Sequence, residues 1–246
     1  MRFKHLILIT GCTCLLINSE AQIQIQPYFD VGVNNASEGV FIKNSYRIDY
    51  QYGKYNIAAG TQFDLKSNTG NVFTGLNITG SREFLLRSFP FEVKGYWILN
   101  RFSDLFYGTD WGVTGSTRKL NHFLFELGTN FKTYTVNHDA LKEYGTDKAE
   151  SKLRENFNLI YVISGYLKPH HHKWNIGLSC TNIDYYIINQ STNPFFNLQM
   201  MLHIKSGLTV FLDSWYKKAG VFNISANSFG YSFRTGVTWE IKYSNR

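Results

Sequence analysis

The segment Phe229–Tyr243 (FGYSFRTGVTWEIKY) alternates. Phe229, Tyr231, Phe233, Val237, Trp239, Ile241 and Tyr243 take one set of positions, while Ser232, Arg234, Gly236, Thr238, Glu240 and Lys242 take the other. Only an extended strand puts residues i, i+2 and i+4 on the same side, so this segment carries one greasy face and one charged face. In a water-soluble sandwich the greasy face would be core.

The same period runs through the chain from Gln22, in short segments separated by turn residues. It predicts strands at about Ile23–Asn34, Gly39–Tyr52, Tyr55–Leu65, Asn71–Leu86, Phe91–Leu99 and Leu105–Val113. Six more follow at about Asn121–Val136, Asn156–Leu167, Trp174–Tyr186, Phe195–Ile204, Leu208–Tyr216 and Phe229–Tyr243. Ser88-Phe89-Pro90 reads as the turn between the fourth and fifth. That is about twelve strands, or ten or fourteen if the long fourth is split or weak neighbours merge, and an even number suits a closed barrel. Connections after even-numbered strands are mostly tight, and those after strands seven, nine and eleven are longer. Aromatic residues make up 17% of the chain and charged residues another 17%, a composition of strands rather than helices. The mean hydropathy of −0.23 does not separate a soluble from a membrane barrel, because such a barrel shows lipid only every second residue.

The segment Arg234-Thr235-Gly236-Val237-Thr238-Trp239-Glu240-Ile241 resembles the C-terminal assembly signal of Gram-negative outer-membrane β-barrels, with Arg234, Gly236, Trp239 and Ile241 on its defined positions. It departs in running on through Lys242 to Arg246. The resemblance implies an all-β, transmembrane, antiparallel up-and-down barrel in the outer membrane, with both termini periplasmic. The long loops would then be extracellular. It also implies outer-membrane lipid and the barrel-assembly machinery as partners. Tyr52, Tyr55, Phe89, Phe91, Trp174, Trp239 and Tyr243 would form an aromatic girdle at the periplasmic interface.

At the N-terminus, Arg2, Lys4 and His5 precede the apolar run Leu6–Ile17, and Ser19-Glu20-Ala21 offers small residues before a cut at Ala21/Gln22. Residues 1–21 therefore read as a secretory signal peptide and 22–246 as one barrel domain. Ile9-Thr10-Gly11-Cys12 resembles a lipoprotein box, but a cut there leaves a very short apolar region. Removing residues 1–21 takes Cys12 and Cys14, leaves Cys180 as the remaining cysteine and lowers the net charge from +7 to +6. This basic excess suits an anionic lipid or solute; it is too diffuse for nucleic acid.

With the greasy face on lipid, the lumen would be lined by Asp30, Arg47, Asp49, Gln62, Asp64, Glu92, Lys94, Asp110, His122, Glu126, Lys132, Asn175, Gln199, His203, Asp213, Arg234, Glu240 and Lys242. Acids and bases interleave, so the interior is expected to be cross-linked and mostly filled. The expected role is non-enzymatic, a structural or accessory component that meets a partner membrane or periplasmic protein through loops or turns.

The alternative is a narrow solute channel with weak anion preference. Size and strand count are similar to those of small porins for acidic oligosaccharides, whose lumens carry arginine tracks. A lipid-modifying enzyme is a third reading. His203-x-x-Ser206 and His122/Glu126 lie near the periplasmic end, without the serine, histidine and third polar residue such hydrolases use. No cofactor is expected. His170-His171-His172 reads as a solvated turn rather than a metal site, since consecutive residues rarely converge on one ion. The loop His138–Lys152 (HDALKEYGTDKAESK) is either a partner contact or a solvated loop.

Overall fold

The alternation becomes a closed barrel of antiparallel strands. The structure, a computed structural model, describes residues 21–34, 40–66, 73–86, 89–101, 106–117, 122–137, 142, 152–169, 172–184, 194–217 and 229–242. The strands are β1 (Ala21–Asn34), β2 (Val40–Tyr52), β3 (Tyr55–Asp64), β4 (Phe73–Leu86), β5 (Phe89–Arg101) and β6 (Phe106–Ser116). The ring continues with β7 (Phe123–Val136), β8 (Lys152–Tyr166), β9 (Trp174–Thr181), β10 (Phe195–Lys205), β11 (Leu208–Lys217) and β12 (Phe229–Lys242). Each pairs with its sequence neighbours, and β1 pairs with β12 to close the ring of twelve. Closure satisfies every edge, which an apolar surroundings demands.

The two faces sort as the period requires. Ile57 on β3 is 57% exposed, Leu127 on β7 61% and Leu178 on β9 66%, and they belong to an outward belt reaching every strand. An apolar surface of that extent marks a membrane-facing wall. Between these residues, polar side chains point inward and are buried. Gly53 and Gly207 carry the tight turns after β2 and β10 with φ of +54° and +77°, a left-handed backbone that favours glycine.

Several boundaries differ from the sequence expectation. Phe89 and Pro90 belong to β5, paired with Leu86 and Leu85, not to a turn; a proline next to the start of a strand costs little because its missing N–H falls where pairing begins. The eighth strand begins at Lys152 rather than Asn156. The ninth ends at Thr181 rather than Tyr186, because the Asn182 side chain replaces the strand. Its Nδ2 donates to Leu159 O at 2.6 Å, and its Oδ1 accepts from Tyr161 N at 2.8 Å. Strand pairing between β8 and β9 is thus confined to Val162–Tyr166.

Candidate functional site

The inward residues of neighbouring strands meet in rows, and one row carries alternating charge. Asp64 on β3 lies opposite Lys43 on β2, Lys43 opposite Asp30 on β1, Asp30 opposite Arg234 on β12, and Arg234 opposite Asp213 on β11. Gln199 on β10 faces Asp213 and hydrogen-bonds to it. Directly opposed side chains are the closest contacts in an antiparallel sheet, so every charge here has an opposite charge beside it.

Arg234 is the centre of the row. It is 1% exposed, with Asp30 at 0% and Asp184 at 5%. Its Nε donates to Asp30 Oδ1 at 2.7 Å, and its Nη2 and Nη1 donate to Asp184 Oδ2 and Oδ1 at 2.7 and 3.3 Å. This is the fork geometry in which arginine binds carboxylates most strongly. The guanidinium also lies over the rings of Tyr28 and Trp215, with 5.0 and 5.5 Å to their centroids. All three guanidinium nitrogens donate, while Asp30 Oδ2 has no hydrogen-bond partner among the described residues; buried charges persist when paired in this way.

Asp184 does not come from the wall. Beyond Thr181 the chain turns into the lumen as Asn182-Ile183-Asp184, all buried. Thr181 Oγ1 donates to Ile183 O at 2.9 Å and accepts from Ile183 N at 3.0 Å, fixing the bend. Ile183 packs against Tyr96 and Ile98 of β5 and Ile160 of β8, with Val162 against the cluster. Successive residues therefore face opposite sides: Ile183 meets β5 and β8, while Asp184 meets β12. The segment crosses the barrel. A second inward apolar group, Phe41, Phe195 and Trp215, joins β2 to β10 and β11.

Elsewhere the interior is cross-linked in smaller units. Lys94 Nζ lies 3.2 Å from Glu126, which also accepts from Thr114 Oγ1 at 2.6 Å. Ser116 Oγ donates to Glu92 at 3.4 Å. Asn130 donates to Asp110, whose cross-strand neighbour is Lys132, over the Tyr134 ring. Arg47 pairs with Asp49 at 2.8 Å on its own strand and reaches Thr79.

Not every expected lumen residue lies deep inside. Asp64 is near the end of β3, where its carboxylate accepts from Lys66 N. His122 is an exposed turn residue whose Nδ1 lies 3.1 Å from Tyr166 O, and Nδ1 of His203 lies 2.6 Å from Thr209 Oγ1. Neither bonds a serine among the described residues. Glu240 is half-buried close to the Gly207 turn, its N–H donating to Gly207 O. His170, His171 and most of His138–Lys152 lie outside the described residues; the His172 ring packs edge-on against Trp174.

Of the assembly-signal positions, Arg234 and Gly236 face inward, while Trp239, 55% exposed, and Ile241 face outward. Gly236 lies where the Tyr28 and Phe211 rings meet, and a Cβ there would come within 2.5 Å of Tyr28 Cβ.

Sequence reasoning missed Lys43, Asp184 and the apolar group around Ile183. Lys43 shares the parity of Arg47 and Asp49 and was open to discovery. The bend at Asn182 carries one local signal, the reversal of apolar and polar phase at Asn182, Ile183 and Asp184.

No family model and no curated protein matches the sequence. Among solved structures, the chain is similar to the COG4313 outer membrane channel from Pseudomonas putida F1, at TM-score 0.55 and 10% identity over 92% of this chain and 97% of that one. It is also similar to the KdgM porin in complex with disordered oligogalacturonate, at TM-score 0.49 and 10% identity over 87% and 98% of the two chains. Outer membrane phospholipase A from Escherichia coli aligns at TM-score 0.44 and 12% identity over 87% and 89%. At such identities the likeness speaks of architecture alone, and the two below 0.5 carry no argument. The fold is that of an outer-membrane β-barrel.

Proposed function

We propose that the chain is a non-enzymatic outer-membrane barrel whose lumen is closed at mid-height, acting as a structural or accessory component that offers its loops or turns to a partner protein. The observation that carries this reading is the burial of Arg234 between Asp30 on the wall and Asp184 on the segment crossing the lumen. The guanidinium is 1% exposed, out of contact with solvent at that level of the lumen. In this reading residues 1–21 are removed as a signal peptide, and the tight turns and both termini face the periplasm. The polar lumen residues serve as its internal cross-links, and Arg234, Gly236, Trp239 and Ile241 as its assembly signal. The histidine contacts argue against hydrolysis, since His122 faces a backbone carbonyl and His203 a threonine.

One observation favours a narrow channel as the second reading: Asn182–Asp184, which carry the closure, are held to β8 largely through the Asn182 side chain rather than by a strand ladder. With Asp184 displaced, Asp30 and Asp213 on the wall would face Arg234 and Lys43, an even balance at that level, and the basic excess of the whole chain points to a weak anion preference.

The test is single-channel recording of the refolded protein in a planar bilayer, alone and as the double variant Asp184→Asn, Arg234→Gln. A silent parent protein is expected. Conductance steps from the parent would overturn the closed-lumen reading, and their reversal potential in a salt gradient would decide between cation and anion preference.

A further inference from the structure

On the outer face, Gly80 of β4 lies directly opposite Gly95 of β5, with Ile57 of β3 and Val113 of β6 completing the row. A Cβ on Gly80 meets nothing within 4 Å, and one on Gly95 meets just the Gly80 carbonyl oxygen at 4.0 Å. Packing within the chain does not require these two bare positions. What they leave is a groove of about 550 Å³ on the membrane-facing wall, lined also by Tyr52, Tyr55, Arg82 and Phe84.

Arg82 occupies the next row, between Tyr55 and Val93. It is exposed on the outer face, its guanidinium over the rings of Tyr55 and Phe84 at 5.1 and 4.9 Å. The inward bases Arg47, Lys94 and Arg234 each hold a carboxylate. Arg82 holds none among the described residues. An outward arginine is costly at the bilayer midplane and tolerated near its surface. Tyr52 and Tyr55, straddling the tight turn after β2, are the residue type that marks that surface. A second cation, Lys54, is in the same turn.

We infer that this groove binds one anionic phospholipid, its phosphate held by the Arg82 guanidinium and an acyl chain lying over Gly80 and Gly95. The inference rests on the membrane-spanning reading above. Guanidinium suits phosphate because it can donate two parallel hydrogen bonds, and the flanking rings hold it flat against the wall. Arg82 shares its row with Tyr52 and Tyr55 beside the tight turn after β2, the periplasmic end in the proposed orientation, so the ligand is a phospholipid of that leaflet rather than the phosphorylated glycolipid of the other.

The test is native mass spectrometry of the full-length refolded protein released from detergent containing phosphatidylglycerol, phosphatidylcholine or lipid A. Arg82→Gln, Gly95→Val and, as control, Arg101→Gln at the other end of β5 are compared. One phosphatidylglycerol should survive activation that strips phosphatidylcholine. Its retention should fall at least tenfold in Arg82→Gln and in Gly95→Val, and stay unchanged in Arg101→Gln. Equal retention in Arg82→Gln, equal retention of phosphatidylcholine, or retention confined to lipid A would overturn the site. Insertion into vesicles, scored separately by protease protection, keeps the two questions apart. An inserted barrel that holds no phosphatidylglycerol removes the site alone, and a protein that does not insert removes the membrane reading with it.

Discussion

At the scale of single residues, the barrel depends most on Arg234. Removing it leaves Asp30 and Asp184 buried without the guanidinium that holds both, and breaking a buried ion pair from one side costs roughly 3–5 kcal/mol. Arg234→Ala should therefore lower the unfolding free energy by about that amount in urea titrations of the vesicle-inserted protein. The double variant Asp184→Asn, Arg234→Gln should lose less than the sum of its single changes, since the two groups share one network. A loss below about 1 kcal/mol for Arg234→Ala, the range of exposed pairs, would mean that water reaches the guanidinium. Gly236 is the second sensitive position. Gly236→Val drives a side chain into Tyr28 at the β1–β12 seam and should yield no heat-modifiable barrel on a gel, whereas Gly80→Val, with open space around it, should fold. The parity of β1, β11 and β12 made Asp30, Asp213 and Arg234 legible as inward residues. Their mutual pairing was not, because Asp30 and Arg234 meet across the closing seam, more than two hundred positions apart in sequence.

At the scale of elements, strand number and the even-odd sorting of turns were open to reading, since each strand's period is local and each tight turn carries its own glycine or polar signal. The end of β9 was not. Apolar residues hold the even positions through Cys180 and the phase reverses at Asn182, Ile183 and Asp184, but a reversal alone does not tell a bulge from an end; the demand of β8 for partners at Leu159 and Tyr161 shows that a side chain has replaced backbone pairing. That replacement can be tested. Asn182→Ala deprives Tyr161 N and Leu159 O of their partners, at about 1–3 kcal/mol for each group left unsatisfied. Amide exchange at Tyr161 should quicken relative to Val162–Tyr166, which keep their β9 pairing. Unchanged exchange at Tyr161 would show that the side chain does not hold the bend.

At the scale of the whole molecule, two demands meet. The outer wall must be apolar to lie in lipid, and its alternation then forces an equal number of inward positions that cannot all be apolar. The chain answers with cross-strand charge pairs around the inner wall and with one segment that bridges from β5 and β8 to β12. The interleaved acids and bases of the inward face were legible from the alternation, but not the buried apolar cluster of Ile183, Tyr96, Ile98 and Ile160 among them, because inward isoleucines on β5 and β8 look like lapses in the pattern until Ile183 is seen against them. The proposed closed lumen depends on Ile183 and Asp184 reaching β5 and β12 from the end of β9, and a covalent link tests it most directly. In a Cys180→Ser background, Ile98→Cys on β5 is combined with Ile183→Cys, and the folded protein is oxidised mildly and run unheated and heated on a gel. A disulfide-linked species formed in high yield, with neither thiol open to an impermeant maleimide beforehand, is the predicted result; two thiols that stay reduced and label freely would contradict a closed lumen.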